Sequence, residues 1–123
     1  MSENSRSLTM KITSLQQCES SVVNMDGASG ASRQLPIGKA DGAPNFSIRV
    51  FTLEPGGHTP HHQHESEHLN YIIAGSGVVM EGDTPRTVQA GDFVLVKPQE
   101  KHQYRNTGDK PLVFMCMVPS AYE

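Results

Sequence analysis

Five of the six histidines, His58, His61, His62, His64 and His68, fall within eleven residues, and residues 1–9 hold no histidine run of the kind an affinity tag leaves. Neutral imidazole is a ligand for borderline divalent metals, so the spacing matters more than the count. On a strand, alternate residues point to the same side. His62 and His64 then share one face, about 6–7 Å apart along the chain, and His68 keeps the parity. The sixth histidine, His102, opens a later apolar segment after Pro-Gln-Glu-Lys. Three imidazoles from one ribbon and one from a distant ribbon can converge on a single cation inside a barrel. His61 has the opposite parity, and His58 lies ahead of the cluster. Glu65 and Glu67 share that opposite parity and read as solvated.

The elements that must carry these residues are short strands. Apolar runs are brief and cut by turn pairs such as Asp41-Gly42, Pro55-Gly56-Gly57, Gly82-Asp83, Gly91-Asp92 and Gly108-Asp109. Glycine accepts positive φ there and aspartate bonds local backbone. Strands are expected at 10–15, 33–37, 46–53, 60–64, 69–74, 77–81, 85–89, 92–97, 102–106 and 111–118, with 24–32 a turn-rich connection. No helical stripe persists, so the class is all-β, a sandwich or barrel. The 123 residues make one domain. With 10 basic and 13 acidic residues and net charge −3 there is no basic footprint for nucleic acid. No apolar run approaches the roughly 20 residues of a membrane span, and the N-terminus lacks the apolar core of a signal peptide. Cys18 and Cys116 are too few for a disulfide framework. A soluble, reduced, cytoplasmic protein is expected. Segments 46–53, 92–96 and 112–118 are apolar on both faces, which calls for a cover over the outer sheet. A second copy supplies it, so a homodimer is expected.

Two stretches follow a known pattern. The first is Gly56-x5-His62-x-His64-x3-His68-x6-Gly75; the second is Gly91-x10-His102-x3-Asn106, with Pro98 ahead of its turn. Together they resemble the two motifs of the cupin superfamily, in which a glutamate usually stands where this chain has His68. Pro98 sits one place late and Glu100 lies where a glycine is usual, although the spacing from Gly91 to His102 is kept. The resemblance is to small single-domain cupins with a four-histidine site, which share the runs Glu67-His68 and Pro98-x-Glu100-x-His102. It implies a cupin-type double-stranded β-helix, or jelly-roll barrel, over 33–119. Residues 1–32 would form an extension whose strand could exchange between copies, and 120–123 a tail. It also implies metal ligands His62, His64, His68 and His102 and one divalent first-row ion per chain. Manganese is the first choice, with iron, nickel, copper and zinc as alternatives.

Pocket residues follow from parity and resemblance together. Phe114 and Cys116 share one face of the last strand, where four-histidine relatives place an aromatic residue and a cysteine near the metal. Tyr104 shares the side of His102. Arg49 interrupts an apolar strand; it either orients a carboxylate substrate or sits at the rim beside Glu54 or Glu81, the structural role being favoured. Asn106 is expected to bond backbone in its turn. Four neutral ligands leave the metal's charge uncompensated, so the site favours anionic or enolisable ligands. Three functions are consistent with that chemistry. The first is a metal-dependent oxygenase or related oxidoreductase acting on a small substrate. The second is a redox-neutral isomerase, lyase or cyclase using the metal as Lewis acid, and the third a non-catalytic small-molecule binder.

Overall fold

The computed structural model describes residues 9–123. Nine strands form one curled antiparallel sheet: β1 (Ser20–Val22), β2 (Ser29–Ile37), β3 (Phe46–His58), β4 (His68–Ala74), β5 (Ser76–Glu81), β6 (Thr84–Gln89), β7 (Phe93–Val96), β8 (His102–Arg105) and β9 (Leu112–Pro119). The strand path is β6-β5-β8-β3-β9-β4-β7, and β2 lies on β3 with β1 outside it. The only helical pieces among the described residues are three-residue 3₁₀ turns, and no helix there is long and apolar enough to cross a membrane.

The long strand β3 serves both halves of the barrel. Its first part pairs with β9 from Phe46↔Pro119 to Leu53↔Leu112, and its last residue, His58, pairs with Arg105 of β8. The change of partner falls at Pro55-Gly56-Gly57. Gly56 has φ +82°, and a Cβ on Gly57 would meet the carbonyl oxygens of Gly30 and Glu54 at 2.6 and 2.8 Å. Only glycine lets the strand turn there while β2 stays packed against it.

Inward residues run from an apolar end to a polar end, two residues at a time. Along β3 the series is Leu53, Phe51, Arg49; along β9 it is Leu112, Phe114, Cys116; along β4 it is Ile72, Asn70, His68. The register aligns them into rows: Leu53 opposite Leu112, Phe51 opposite Phe114 and then Ile72, Arg49 opposite Cys116 and then Asn70. Leu53, Ile72 and Leu112 are fully buried and form the core with Val79, Val88 and Phe114. Burial of these side chains stabilises the closed end by about 1.5–3 kcal/mol each. The polar row leaves the other end of the barrel open to chemistry.

Several expected elements differ. Residues 10–14 form no strand, and Leu15–Gln17 is a 3₁₀ turn. The edge of β2 that a strand at 10–15 would need is taken by Ser20–Val22, while Met10 and Ile12 lie exposed. Gln34 pins the segment instead, donating from Nε2 to the carbonyls of Leu15 at 2.7 Å and Cys18 at 3.0 Å. β2 begins at Ser29, inside the stretch expected to be turn. The strand expected at 60–64 is reduced to one bridge, His62↔His102. On the outer sheet face, Phe93 is 81% exposed and Leu95 52%, beside Leu69 and Ile73. Among the described residues nothing covers that face.

Candidate metal centre

The loop from Thr59 to Glu67 runs along β8 without becoming a strand. Thr59 N donates to the Tyr104 carbonyl at 3.0 Å, and His62 and His102 exchange backbone hydrogen bonds at 3.1 and 2.9 Å. Between those two contacts the loop advances three residues while β8 advances two. That mismatch is a bulge, and it breaks the alternation on which the expected strand rested. Further on, Gln99 N donates to the His64 carbonyl at 2.6 Å, from a residue at φ +66°.

The four histidines therefore come from three elements: His62 and His64 from the loop, His68 from the start of β4, His102 from the start of β8. Their rings gather at the open end of the barrel. Centroid separations are 4.1 Å for His62–His64, 4.4 Å for His64–His68, 5.3 Å for His64–His102, and 5.6 Å for both His62–His102 and His68–His102. Ring nitrogens of His62, His64 and His102 all lie within 4.8 Å of one another; His68 stacks on His64 just outside that set.

The donor chemistry suits a divalent metal. His102 Nδ1 lies 2.9 Å from the Glu100 carbonyl; the ring donates there, which fixes its tautomer and leaves Nε2 as the lone-pair nitrogen. Burial, then the neighbouring imidazoles and Arg49, push His64 down to about 4. Burial, followed by Arg49 and the other histidines, takes His68 down to about 3. His62 and His102 are also lowered, burial being the main cause in both. All four shifts favour the neutral ring, the form that binds metal.

The cluster lines a cavity of about 130 Å³, room for several waters or one small organic ligand. Phe114 packs on its wall between Phe51 (5.4 Å) and Tyr104 (4.1 Å), and Cys116 and Arg49 form part of its floor. Tyr104 is 3% exposed; its hydroxyl donates to Asn70 Oδ1 at 3.1 Å, and burial raises the phenol above its usual value. Arg49 meets neither Glu54 nor Glu81. The Glu81 carboxylate pairs with Arg86 at 2.9 Å, and Arg49 turns into the cavity, with Nη2 donating to Cys116 Sγ at 3.2 Å. Its strand register with Cys116 and Asn70 puts it on the inner face, which excludes the rim placement.

His61 and His58 stand apart. His61 Nε2 is 2.8 Å from the Gly82 carbonyl, and His58 Nδ1 faces the Thr59 carbonyl and Gln103. Glu65 and Glu67 are exposed. Asn70, Thr59, Val23 and Met25 also line the cavity and carried no signal in the motifs. Asn70 could have been found by parity, two residues beyond His68 on one strand. Val23 and Met25 could not, because they belong to the turn-rich N-terminal stretch.

A curled jelly-roll sheet with a histidine-lined mouth defines the class of barrels with a double-stranded β-helix fold. The profile of the cupin domain family Cupin_2 matches residues 49–118, more than half of the chain, and the protein belongs to the cupin family. The chain is 26% identical to the polyketide cyclase RemF from Streptomyces resistomycificus, with a TM-score of 0.86 over 90% of this chain and 80% of that one. It is 35% identical to 1-methylthio-D-xylulose 5-phosphate methylsulfurylase of Rhodospirillum rubrum over 58% of this chain and 46% of the relative. It is 37% identical to gentisate 1,2 dioxygenase 1 of Aquipseudomonas alcaligenes over 50% of this chain and 18% of the relative. The chain thus spans less than half the length of these two curated relatives.

Proposed function

We propose that this cupin is a metal-dependent oxygenase or related oxidoreductase acting on a small anionic or enolisable substrate. One observation carries the reading. The cavity joins a neutral histidine cluster to a guanidinium, and no aspartate or glutamate lines it among the described residues. His62, His64 and His102 would hold the metal, with His68 completing the set. A first-row ion held by imidazoles supplies a Lewis acid and, for manganese, iron or copper, a one-electron redox centre.

The chain's own residues support that class of reaction. Proton abstraction by a side chain needs a base within hydrogen-bond reach. Tyr104 is a poor one, since burial opposes its ionisation and its hydroxyl is held by Asn70. The histidines are committed as ligands. A substrate that arrives already anionic needs no such base, and Phe51 and Phe114 offer an apolar wall for its body. Oxidation of a bound anion fits this set better than acid–base chemistry.

The likeness to RemF over most of both chains favours a second reading, a redox-neutral cyclase-type enzyme using the metal as Lewis acid. The test is reconstitution with iron(II), manganese(II) or zinc(II), followed by a panel of small enols and hydroxylated aromatic acids. Metal-dependent oxygen uptake with ¹⁸O entering product supports the oxygenase. Turnover that persists without oxygen, and with zinc, replaces it by the second reading. Stoichiometric binding with no turnover of any panel member leaves a ligand-binding cupin.

A further inference from the structure

We propose that Arg49 is the anion anchor of the cavity, so that the ligand is a small carboxylate held at two points, by the guanidinium at one end and by the metal at the other. The inference rests on the metal-site reading above and adds to it the ligand's charge and the residue that selects it.

Arg49 is poorly satisfied where it stands. Among the described residues its buried Nε has no hydrogen-bond partner. Its Nη2 meets only the sulfur of Cys116, a weak acceptor. Its guanidinium carbon lies 5.1 Å from the centre of the Phe51 ring, which supports a cation without neutralising it. Among the described residues the ion pairs are Lys11–Asp41 and Arg86–Glu81, and Arg49 belongs to neither. The nearby Arg33 carries the same charge: burial first, then Arg49, depresses its proton affinity. A buried donor left without a partner is unfavourable, and more so when it is charged. A barrel tolerates such a group where an arriving acceptor relieves it.

The register says where that acceptor comes from. Arg49, Cys116 and Asn70 form one inward row, and His68 stands two residues beyond Asn70 on β4. Arg49 and the four histidines line one continuous cavity with Phe51 and Phe114. A carboxylate presents two oxygens to a guanidinium, which matches its planar fork of donors. The ligand's other oxygen then faces the imidazole cluster, and its carbon skeleton lies on the aromatic wall. A phosphate or sulfate ester brings a third oxygen that the Asn70 amide is not free to meet, since its nitrogen donates to the Met115 carbonyl at 3.3 Å and its oxygen accepts from the Tyr104 hydroxyl at 3.1 Å.

The test uses the full chain, with and without cobalt(II) as a spectroscopically visible metal. Calorimetry measures cobalt(II) affinity and the affinity of four charged probes, acetate, pyruvate, benzoate and salicylate, each against its neutral amide. In the wild type at least one carboxylate is expected to bind more tightly than its amide. Arg49→Gln should lose about 10–100-fold of that affinity, leave the amide unchanged, and shift cobalt(II) affinity by less than about threefold. Arg49→Lys, which keeps the charge without the fork, should fall between. On the wild-type protein, the ¹⁵N resonance of Arg49 Nε–H should move when the bound carboxylate is added, with no variant to fold. Equal binding of carboxylate and amide by the wild type overturns the proposal, and so does carboxylate affinity undiminished in Arg49→Gln. Failure to bind cobalt(II) would instead sink the metal reading. In that event the apo protein still tests Arg49: carboxylate binding lost in Arg49→Gln upholds the anchor, and binding unchanged removes it.

Discussion

His102 is the residue on which the metal reading is most exposed to test. Its backbone exchanges hydrogen bonds with His62 at 3.1 and 2.9 Å, and neither bond uses the side chain. His102→Ala therefore keeps the bridge that closes the barrel. What it removes is one ring nitrogen from a set lying within 4.8 Å, together with the contact from Nδ1 to the Glu100 carbonyl. Loss of an outer partner that only orients a ligand weakens metal binding by about 10–100-fold. Removing the ligand itself should weaken binding by about 100-fold or more. The ring is 6% exposed, so the fold should lose on the order of 1–3 kcal/mol and remain native at 25 °C. His61→Ala is the internal control. It deletes an imidazole just as near in sequence, but one spent on the Gly82 carbonyl, so metal affinity should stay within about threefold of wild type. Cobalt(II) titration against a competing chelator reads both, with elemental analysis for stoichiometry. His68→Ala then separates three ligands from four: a loss of about tenfold or more assigns His68 to the metal. If His102→Ala binds as well as wild type, or if His61→Ala loses as much, the site is wrongly assigned.

The remaining predictions concern stability and assembly. The apo protein should lose stability as pH falls. Burial lowers His64 to about 4 and His68 to about 3, whereas an unfolded chain protonates histidine near ~6.5. Between those values the unfolded state binds more protons, so the stabilisation is complete above about 6.5 and declines toward pH 4 and below. Urea midpoints across pH 7.5–4 check this, and His68→Gln should flatten part of the slope; a pH-independent midpoint contradicts it. Asn106→Ala should destabilise the fold by about 2–4 kcal/mol. Its amide donates to the Leu53 and Lys110 carbonyls, both at 2.8 Å, and accepts from Gly108 N at 2.9 Å. A midpoint near wild type would remove that role. The homodimer expected from the sequence has a surface to form on, where Phe93 and Leu95 extend the apolar face of Leu69 and Ile73. Light scattering should give twice the chain mass, and Phe93→Glu with Leu95→Glu should give monomer; a monomeric wild type ends that expectation.

The parts legible in the sequence are those governed by local physics. Strand positions along β3 to β9 followed from alternation and glycine turns, because each strand needs only an inward apolar row and a break at its end. The loop carrying His62 and His64 was not legible in that way. Its path is set by backbone bonds to β8, forty residues on, and by a bulge that no local pattern encodes. The four histidines were nevertheless picked out together, because side-chain type and motif spacing survive the loss of strand parity. Arg49 shows the opposite case. From composition it is a charge in an apolar strand, for which a structural place at the rim beside Glu54 or Glu81 is favoured. Only the register seats it in one inward row with Cys116 and Asn70, and among the described residues it belongs to neither ion pair. Glu81 holds Arg86 instead, and Glu123 accepts from Ser47 Oγ and Lys39 N. A cavity that sets a guanidinium beside imidazoles, with no aspartate or glutamate lining it among the described residues, has its electrostatic deficit where a ligand would sit. The charge of that ligand is therefore the property of the site that its residues constrain most tightly.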